Sequence, residues 1–425
     1  MIQGDGAAYG WFGDDFTGAT DTLATIAERG HRAFLFLGVP DLERLASLGP
    51  LDAVGIASAA RALGADAMRA EIEPTAGFFA ALDVRLLHYK CCSTFDSAPE
   101  VGNLAVALEA LGRFNANGPA FVLGGQPSLQ RYCAFSNLFA LGGGDVHRLD
   151  RHPTMSRHPV TPMGEADLRL HLKALGLGAV ETIHWPALEA DVAFGPSIER
   201  WERESVEAVV IDALTASHVE AAGRILRSRP ARSIAIGASS VAEAWFEDRG
   251  RPLIGASDAA PGPVLAIAGS LSETTREQVN AATAYERLEI EAESLLTSAA
   301  YRAGLVERAQ TLLCDGRNVL LTTRPVGGER PEKAQEALAA RSADLVAAIL
   351  DIRPVRRLLA AGGDTSSRVA QALGIWGLSY EGRAAKGVTV SRSRSDRLER
   401  DGMTLLLKGG QMGDEALFDR FAAAG

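Results

Sequence analysis

Short, wholly apolar runs alternate along most of the chain with longer stretches of helical periodicity. In the first half the runs lie at residues 9–12, 33–38, 53–57, 86–89, 120–123, 208–211 and 233–236, several ending in Gly, Asp or Ser. Helix-forming segments such as 21–29 and 102–111 lie between them. Strands that read as unbroken apolar runs are buried on both faces, and helices between them imply βαβ units and a mostly parallel sheet. The pattern breaks at residues 247–263, EDRGRPLIGASDAAPGP, whose Gly, Pro, Ser and Asp content fits neither period. It restarts at 264–269, 287–292, 318–323, 357–363, 387–392 and 404–410. The expected fold class is α/β in two domains, each with a mostly parallel sheet flanked by helices. The expected boundaries are 1–246 for the first domain, 247–263 for a linker and 264–425 for the second.

Charge and cysteine content narrow the partners. The 425 residues carry 43 Lys and Arg against 53 Asp and Glu, a formal net charge of −10. That balance gives no footprint for sequence-independent nucleic-acid binding, which rests on phosphate neutralisation, and none for an anionic membrane surface. No apolar stretch approaches the roughly 18 residues of a membrane span. The four cysteines (Cys91, Cys92, Cys133, Cys314) include two sequence neighbours and no paired CxxC spacing, so reduced thiols are expected and a zinc site is not. The N-terminus lacks a basic segment followed by an apolar one, so no signal peptide is expected. These features together predict a cytoplasmic enzyme. No motif encodes an oligomeric state, and a homo-oligomer is left open.

In open parallel sheets ligands bind beyond the carboxyl ends of strands, so motifs that directly follow apolar runs carry the candidate chemistry. The first is GDDFTGATD at residues 13–21. Asp14 and Asp15 at a strand end can grip hydroxyls or a hydrated Mg²⁺; alternatively Asp14 shapes a turn and Thr20 or Asp21 caps the helix. The second is YKCCSTFDS at 89–97, with Lys90, Ser93, Thr94 and Asp96 in one loop. Lys90 suits a substrate carboxylate, the Ser93 and Thr94 hydroxyls supply donors, and ligand contact is favoured for Lys90 and Asp96; the plainer reading is an elaborate helix cap over two packed thiols. The third is the proline-stiffened basic run at 148–163, holding Arg157 and His158, which reads either as an anion clamp or as a loop of solvated charges.

The second half offers three glycine-rich strand ends. AGSLSETT at 268–275 includes Ser270; AGGDTSS at 361–367 includes Gly362, Gly363, Asp364 and Thr365; KGGQMG at 408–413 includes Gly409 and Gly410. Strand–Gly–helix junctions expose N–H groups that suit a phosphate, and Asp364 stands where it could bind Mg²⁺ or accept a hydroxyl proton. Each is also readable as a simple capped turn; three in one domain favour a nucleotide site. There is no GxxxxGK[ST] loop and no GxGxxG after the first strand of either half, which excludes a Walker-type NTPase and weakens a dinucleotide-binding dehydrogenase.

Taken together, GDDFTGATD, KCCSTFDS (90–97), HPVTPM (158–163), GSLSETT (269–275), GGDTS (363–367) and KGGQMG resemble the four-carbon acid sugar kinases, in order and over nearly the whole chain. The resemblance implies a kinase whose first domain binds a small sugar acid and whose second binds ATP with Mg²⁺. It implies that Asp14, Asp15, Lys90 and the Arg157-His158 loop hold the acid, and that Ser270, Gly362 to Thr365 and Gly409–Gly410 hold ATP. Asp15 is the expected general base and Asp364 its rival; the ligands of Mg²⁺ are left open. Tetronate-type members tend to carry Lys-x-Asp-Ser-Thr-x-Arg, whereas Lys90 here leads into CCSTFDS, which looks like the 3-oxo-acid branch. The run DRHPTMSRHPVTPM (150–163) and the Arg131-Tyr132 segment resemble a subgroup associated with 3-oxo-isoapionate. Closure of the domains across 247–263 is expected to exclude water. A non-catalytic, nucleotide-responsive sugar-acid binding protein would use the same loops, but both carboxylate motifs would then be superfluous.

Overall fold

Every residue of strand β1 (Tyr9–Gly13) is buried, as a strand covered by helices on both faces requires. The structure is a computed structural model that describes residues 8–112, 114, 118–158, 160–251, 261–269, 272–323 and 332–424. The chain divides into two compact units, Met1–Leu253 and Ile254–Gly425.

In the first unit, β1 is followed by β2 (Ala33–Phe36), β3 (Ala53–Ala57), β4 (Leu86–Lys90), β5 (Ala120–Leu123), β6 (Arg131–Ala134), β7 (Asn137–Gly142), β8 (Asp145–Arg148), β9 (Val180–Ile183), β10 (Ala208–Ile211) and β11 (Ser233–Gly237). The main sheet runs β2-β3-β1-β4-β11-β5-β10-β9, and each of its pairings is parallel. Close packing on its faces is visible at Gly55 in β3, where a Cβ would lie 2.1 Å from the Trp11 ring. Strands β6-β7-β8 form a separate antiparallel sheet inserted after β5.

The second unit contains β12 (Val264–Ala268), β13 (Tyr285–Ile290), β14 (Asn318–Thr323), β15 (Arg357–Ala361), β16 (Ile375–Ala385), β17 (Val388–Ser395) and β18 (Thr404–Lys408). They are ordered β13-β14-β12-β15-β18-β17-β16. β17 is antiparallel to both neighbours and the other pairings are parallel. Leu320, Leu359 and Leu406 pack with Phe418 and Phe421 of the helix Leu417–Ala423 to form a core on one face.

Both units share one topological feature that locates ligand sites. From β1 the chain builds β2 and β3 on one flank, then crosses to β4 on the other. From β12 it builds β13 and β14 on one flank, then crosses to β15. At such a reversal the connections leave in opposite directions and open a crevice at the carboxyl ends of the two strands. The crevices therefore lie between β1 and β4 and between β12 and β15.

The α/β class and the mostly parallel sheets agree with the sequence pattern. The helix expected at 21–29 begins earlier, as Phe16–Glu28, because Asp15 caps it: Asp15 has extended backbone and its side chain accepts from the Gly18 N–H. Neither Thr20 nor Asp21 is the cap. Strands β6 to β9 and β16 are additions to the sequence reading. Most of the expected linker, residues 252–260, lies outside the described residues. No helix among the described residues is long and apolar enough to cross a membrane.

Candidate active site

The β1–β4 crevice brings together residues far apart in sequence. Asp14 follows β1 and is 1% exposed. Its backbone N–H bonds the Lys90 carbonyl at 3.0 Å, so the two strand ends are tied at the crevice floor. Arg61, in the short turn Ala60–Ala62 after β3, grips Asp14 with both arms of its fork: Nε to Oδ2 at 3.1 Å and Nη2 to Oδ1 at 2.6 Å. The same Nη2 donates to Asp15 Oδ1 at 2.9 Å. Burial pushes the Asp14 carboxyl upward against the opposing pull of the Arg61 guanidinium.

Asp15 is the more accessible carboxylate, its side chain 31% exposed. Its Oδ1 accepts from the Gly18 N–H at 3.0 Å as well as from Arg61. Among the described residues no donor reaches Oδ2. Lys90 also reaches Gly18: a Cβ there would lie 2.5 Å from Asp15 Oδ1 and 2.7 Å from Lys90 Nζ, so a side chain at this position would displace the ends of both groups. Lys90 is buried, 4% exposed. It donates to the Cys91 carbonyl at 2.6 Å and, among the described residues, makes no ion pair. Three donors with one acceptor leave this cation ready for an anion.

Beneath it, His88 is fully buried between the Tyr9 hydroxyl (2.7 Å to Nδ1) and the Gly237 carbonyl (3.0 Å to Nε2). Burial drives its pKa down to about 3. A carbonyl only accepts, so Nε2 carries the proton and Nδ1 accepts from Tyr9. His88 is thus a neutral strut between β4 and β11.

The rest of the Lys90 loop is largely self-satisfied. Thr94 Oγ1 donates to Asp96 Oδ1 at 2.6 Å and lies 3.0 Å from Cys92 Sγ. Ser93 is half-buried and its hydroxyl has no partner among the described residues. Burial raises Cys91 well above the usual thiol range and Cys92 to about 11, so neither is a thiolate nucleophile. In the basic run, Arg148 pairs with Asp150. Arg157 is exposed with no side-chain partner among the described residues, and His158 Nδ1 accepts from the Thr161 N–H at 3.1 Å. Among the described residues no hydrogen bond or ion pair joins Arg157 or His158 to the Asp14–Asp15–Lys90 cluster; Pro159 lies outside them.

In the β12–β15 crevice, Gly269 follows β12 and its N–H bonds the Ala361 carbonyl at the end of β15. A Cβ on Gly269 would meet Thr365 Oγ1 at 2.2 Å. Gly362, at φ +119°, is the N-cap of the helix Gly363–Ala372, and the space beside the Gly363 Cα is open. That combination suits a phosphate laid against a helix N-terminus. Ser270 lies outside the described residues, and Asp364 lies in the first turn of that helix with its side chain outside the description.

The glycine loop after β18 is anchored by the helix Glu273–Ala281: Ser272 Oγ and Thr275 Oγ1 both donate to the Gly410 carbonyl, at 2.5 and 2.7 Å. Lys408 is fully buried and donates to Thr275 Oγ1 at 3.0 Å and to Gly410 O at 3.3 Å. Among the described residues no group of three metal-ligating side chains occurs. Mg²⁺ bound through nucleotide phosphates needs only one or two carboxylates, so this crevice is compatible with it.

Burial lowers the Lys408 pKa to about 8. The charged form is thus disfavoured in the folded state, and the penalty is fully present below pH 8. Between pH 8 and the unfolded value of 10.5 the unfolded chain binds more protons, so stability rises with pH. Over that window the wild type is expected to gain on the order of 3 kcal/mol relative to Lys408→Met, at 1.36 kcal/mol per pKa unit. Urea unfolding across the window checks this, and a flat difference refutes it.

Arg61 and Lys408 are the two charged site residues that sequence reasoning did not assign. Lys408 ends β18, and that position is the signal that could have found it; Arg61 lies in a turn beyond the end of β3 and carries no such local signal. Two cavities lie elsewhere. One of about 480 Å³ opens at the amino ends of β15 and β18, lined by Arg357, Thr404 and Phe421. The other, of about 410 Å³, is lined by Leu188, Ile198 and Ala221 in the first unit.

Comparison with known proteins follows the same division. A family described as a sugar-binding N-terminal domain matches residues 9–245, and one described as a nucleotide-binding C-terminal domain matches residues 265–418. A 3-oxo-isoapionate kinase of Paraburkholderia graminis is 34% identical, covering 97% of this chain and 93% of the relative. A 3-oxo-tetronate kinase of Methylobacterium radiotolerans is 30% identical over 97% of this chain and 98% of its own. The crystal structure of a Salmonella typhimurium protein described as a putative tRNA synthase superposes with a TM-score of 0.79 at 25% identity, covering 97% of this chain and 98% of that one. The matched domains and the full-length likeness to these kinases place the chain in the four-carbon acid sugar kinase family.

Proposed function

We propose that this protein is an ATP-dependent kinase that phosphorylates a terminal hydroxyl of a small 3-oxo sugar acid, 3-oxo-isoapionate or 3-oxo-tetronate. The observation that carries the reading is the pair beside Gly18: among the described residues, a buried ammonium without an ion pair and a carboxylate with one oxygen that no donor reaches. The names of the relatives, a 3-oxo-isoapionate kinase and a 3-oxo-tetronate kinase, support the 3-oxo class.

In this reading Lys90 pairs with the substrate carboxylate, and Ser93, Arg157 and His158 are further contacts. Thr94 and Asp96, bonded to each other, hold the loop. The hydroxyl proton passes to Asp15 Oδ2 as the hydroxyl oxygen bonds the γ-phosphorus and the bond from phosphorus to the β,γ-bridging oxygen breaks, releasing ADP. Little covalent chemistry is asked of the chain; orientation and charge complementarity supply most of the acceleration. Gly362 to Thr365, Gly409, Gly410 and Ser270 are the proposed nucleotide contacts. Mg²⁺, when bound with the nucleotide, neutralises phosphate charge, with Asp364 as its proposed protein ligand.

The test is ADP release by purified protein with ATP and Mg²⁺ against D- and L-threonate, D-erythronate, their 3-oxo forms and 3-oxo-isoapionate. Turnover that depends on a 3-oxo acid, with a phosphorylated product by mass, is the expected result. Turnover only with threonate or erythronate overturns the 3-oxo assignment. ATP binding without turnover on any acid favours a nucleotide-responsive binding protein.

A further inference from the structure

We infer that Arg61 is a positioning residue for this reaction, holding Asp14 and one oxygen of Asp15 so that only the other Asp15 oxygen is presented to the acceptor hydroxyl. The inference rests on the kinase reading above and divides the work between its two adjacent carboxylates.

Three observations carry it. First, both Asp14 oxygens are occupied by the Arg61 fork, at 3.1 and 2.6 Å, and the residue is 1% exposed, so Asp14 has no face to offer a substrate. Second, Asp15 Oδ1 is held from two directions, by the Gly18 N–H at 3.0 Å and Arg61 Nη2 at 2.9 Å. Two fixed donors on one oxygen set the plane of the carboxylate and hence the direction of Oδ2. Third, Arg61 is itself fixed through its backbone, its N–H donating to the Asp14 carbonyl at 3.0 Å. Asp14 therefore serves as the anchor of the guanidinium, and Arg61 transmits that anchorage to Asp15. A lysine carries the charge but lacks the planar fork that spans both carboxylates.

The experiment compares full-length wild type, Arg61→Ala and Arg61→Lys, measuring kcat, KM for ATP and KM for the acid that the wild type turns over. Thermal unfolding checks that each variant is folded. Loss of orientation is expected to lower kcat of Arg61→Ala about 10²-fold, with KM for ATP within about twofold of wild type. Guanidinium ion, added below denaturing concentration, is expected to restore part of the Arg61→Ala kcat and none of the Arg61→Lys kcat. A folded Arg61→Ala with wild-type kcat, or with a kcat that guanidinium does not raise, overturns the inference while the kinase reading stands. If Arg61→Ala does not fold, Arg61→Lys decides: wild-type kcat overturns the inference, and a loss confined to kcat supports it. A wild type that turns over none of the acids overturns the reading and the inference with it.

Discussion

Asp15→Asn is expected to lose turnover while keeping both its fold and its nucleotide affinity. Asn and Asp are equally good N-caps, and the amide oxygen can still accept from the Gly18 N–H and Arg61, so the helix Phe16–Glu28 keeps its start. What disappears is the carboxylate oxygen that takes the hydroxyl proton in the proposed reaction. Proton transfer by a positioned side chain contributes about 10²–10⁴-fold, so kcat should fall by that order. ATP binding, followed by titration of the variant, should match wild type. Near-wild-type turnover would remove Asp15 from the chemistry and leave Asp364 as the base.

Lys90→Met should act on the other parameter. Lys90 is 4% exposed and, among the described residues, its ammonium has one carbonyl acceptor, in a crevice where Asp14 and Asp15 are already held by Arg61. Truncating one partner of a desolvated charge pair costs about 2–5 kcal/mol. At 1.4 kcal/mol per tenfold, KM for the acid should rise about 30- to 4,000-fold, with KM for ATP unchanged. The control is a substrate analogue whose carboxylate is replaced by hydroxymethyl: on it, wild type and variant should converge. An acid KM in the variant equal to wild type would show that Lys90 does not meet the carboxylate.

Both substitutions concern residues legible from local pattern. Asp14, Asp15 and Lys90 stand directly after apolar runs, and in a parallel sheet every such position lies on the same edge. Ser270, Gly362 and Gly409 likewise follow apolar runs. The start of the first long helix was misplaced because Phe16 to Thr20 contains Thr and Gly, poor interior helix formers, whereas capping by Asp15 sets the boundary. Strands β6 and β7 are only partly buried, and β8 has no buried residue, so none reads as a core strand. In β16 the pairing with β17 shifts register three times, which breaks the period-2 signal.

Arg61 illustrates the opposite case. Nothing within its own segment, ASAARALG, marks it as a partner of Asp14, which lies 47 residues away. The pairing exists because β3 lies beside β1, and that neighbour relation is a property of strand order. Lys408 is similar: its contact with Thr275 spans 133 residues and depends on which helix covers the end of β18. The sequence by itself determined the α/β class, the two-part organisation and the motif positions at strand ends, because burial and backbone geometry write a local period into each element. Only the tertiary structure decided that Arg61 holds both carboxylates, which Asp15 oxygen it leaves without a donor and that, among the described residues, the buried Lys90 makes no ion pair. Those choices follow from strand order, which brings distant charges within hydrogen-bonding reach and leaves no local periodic trace.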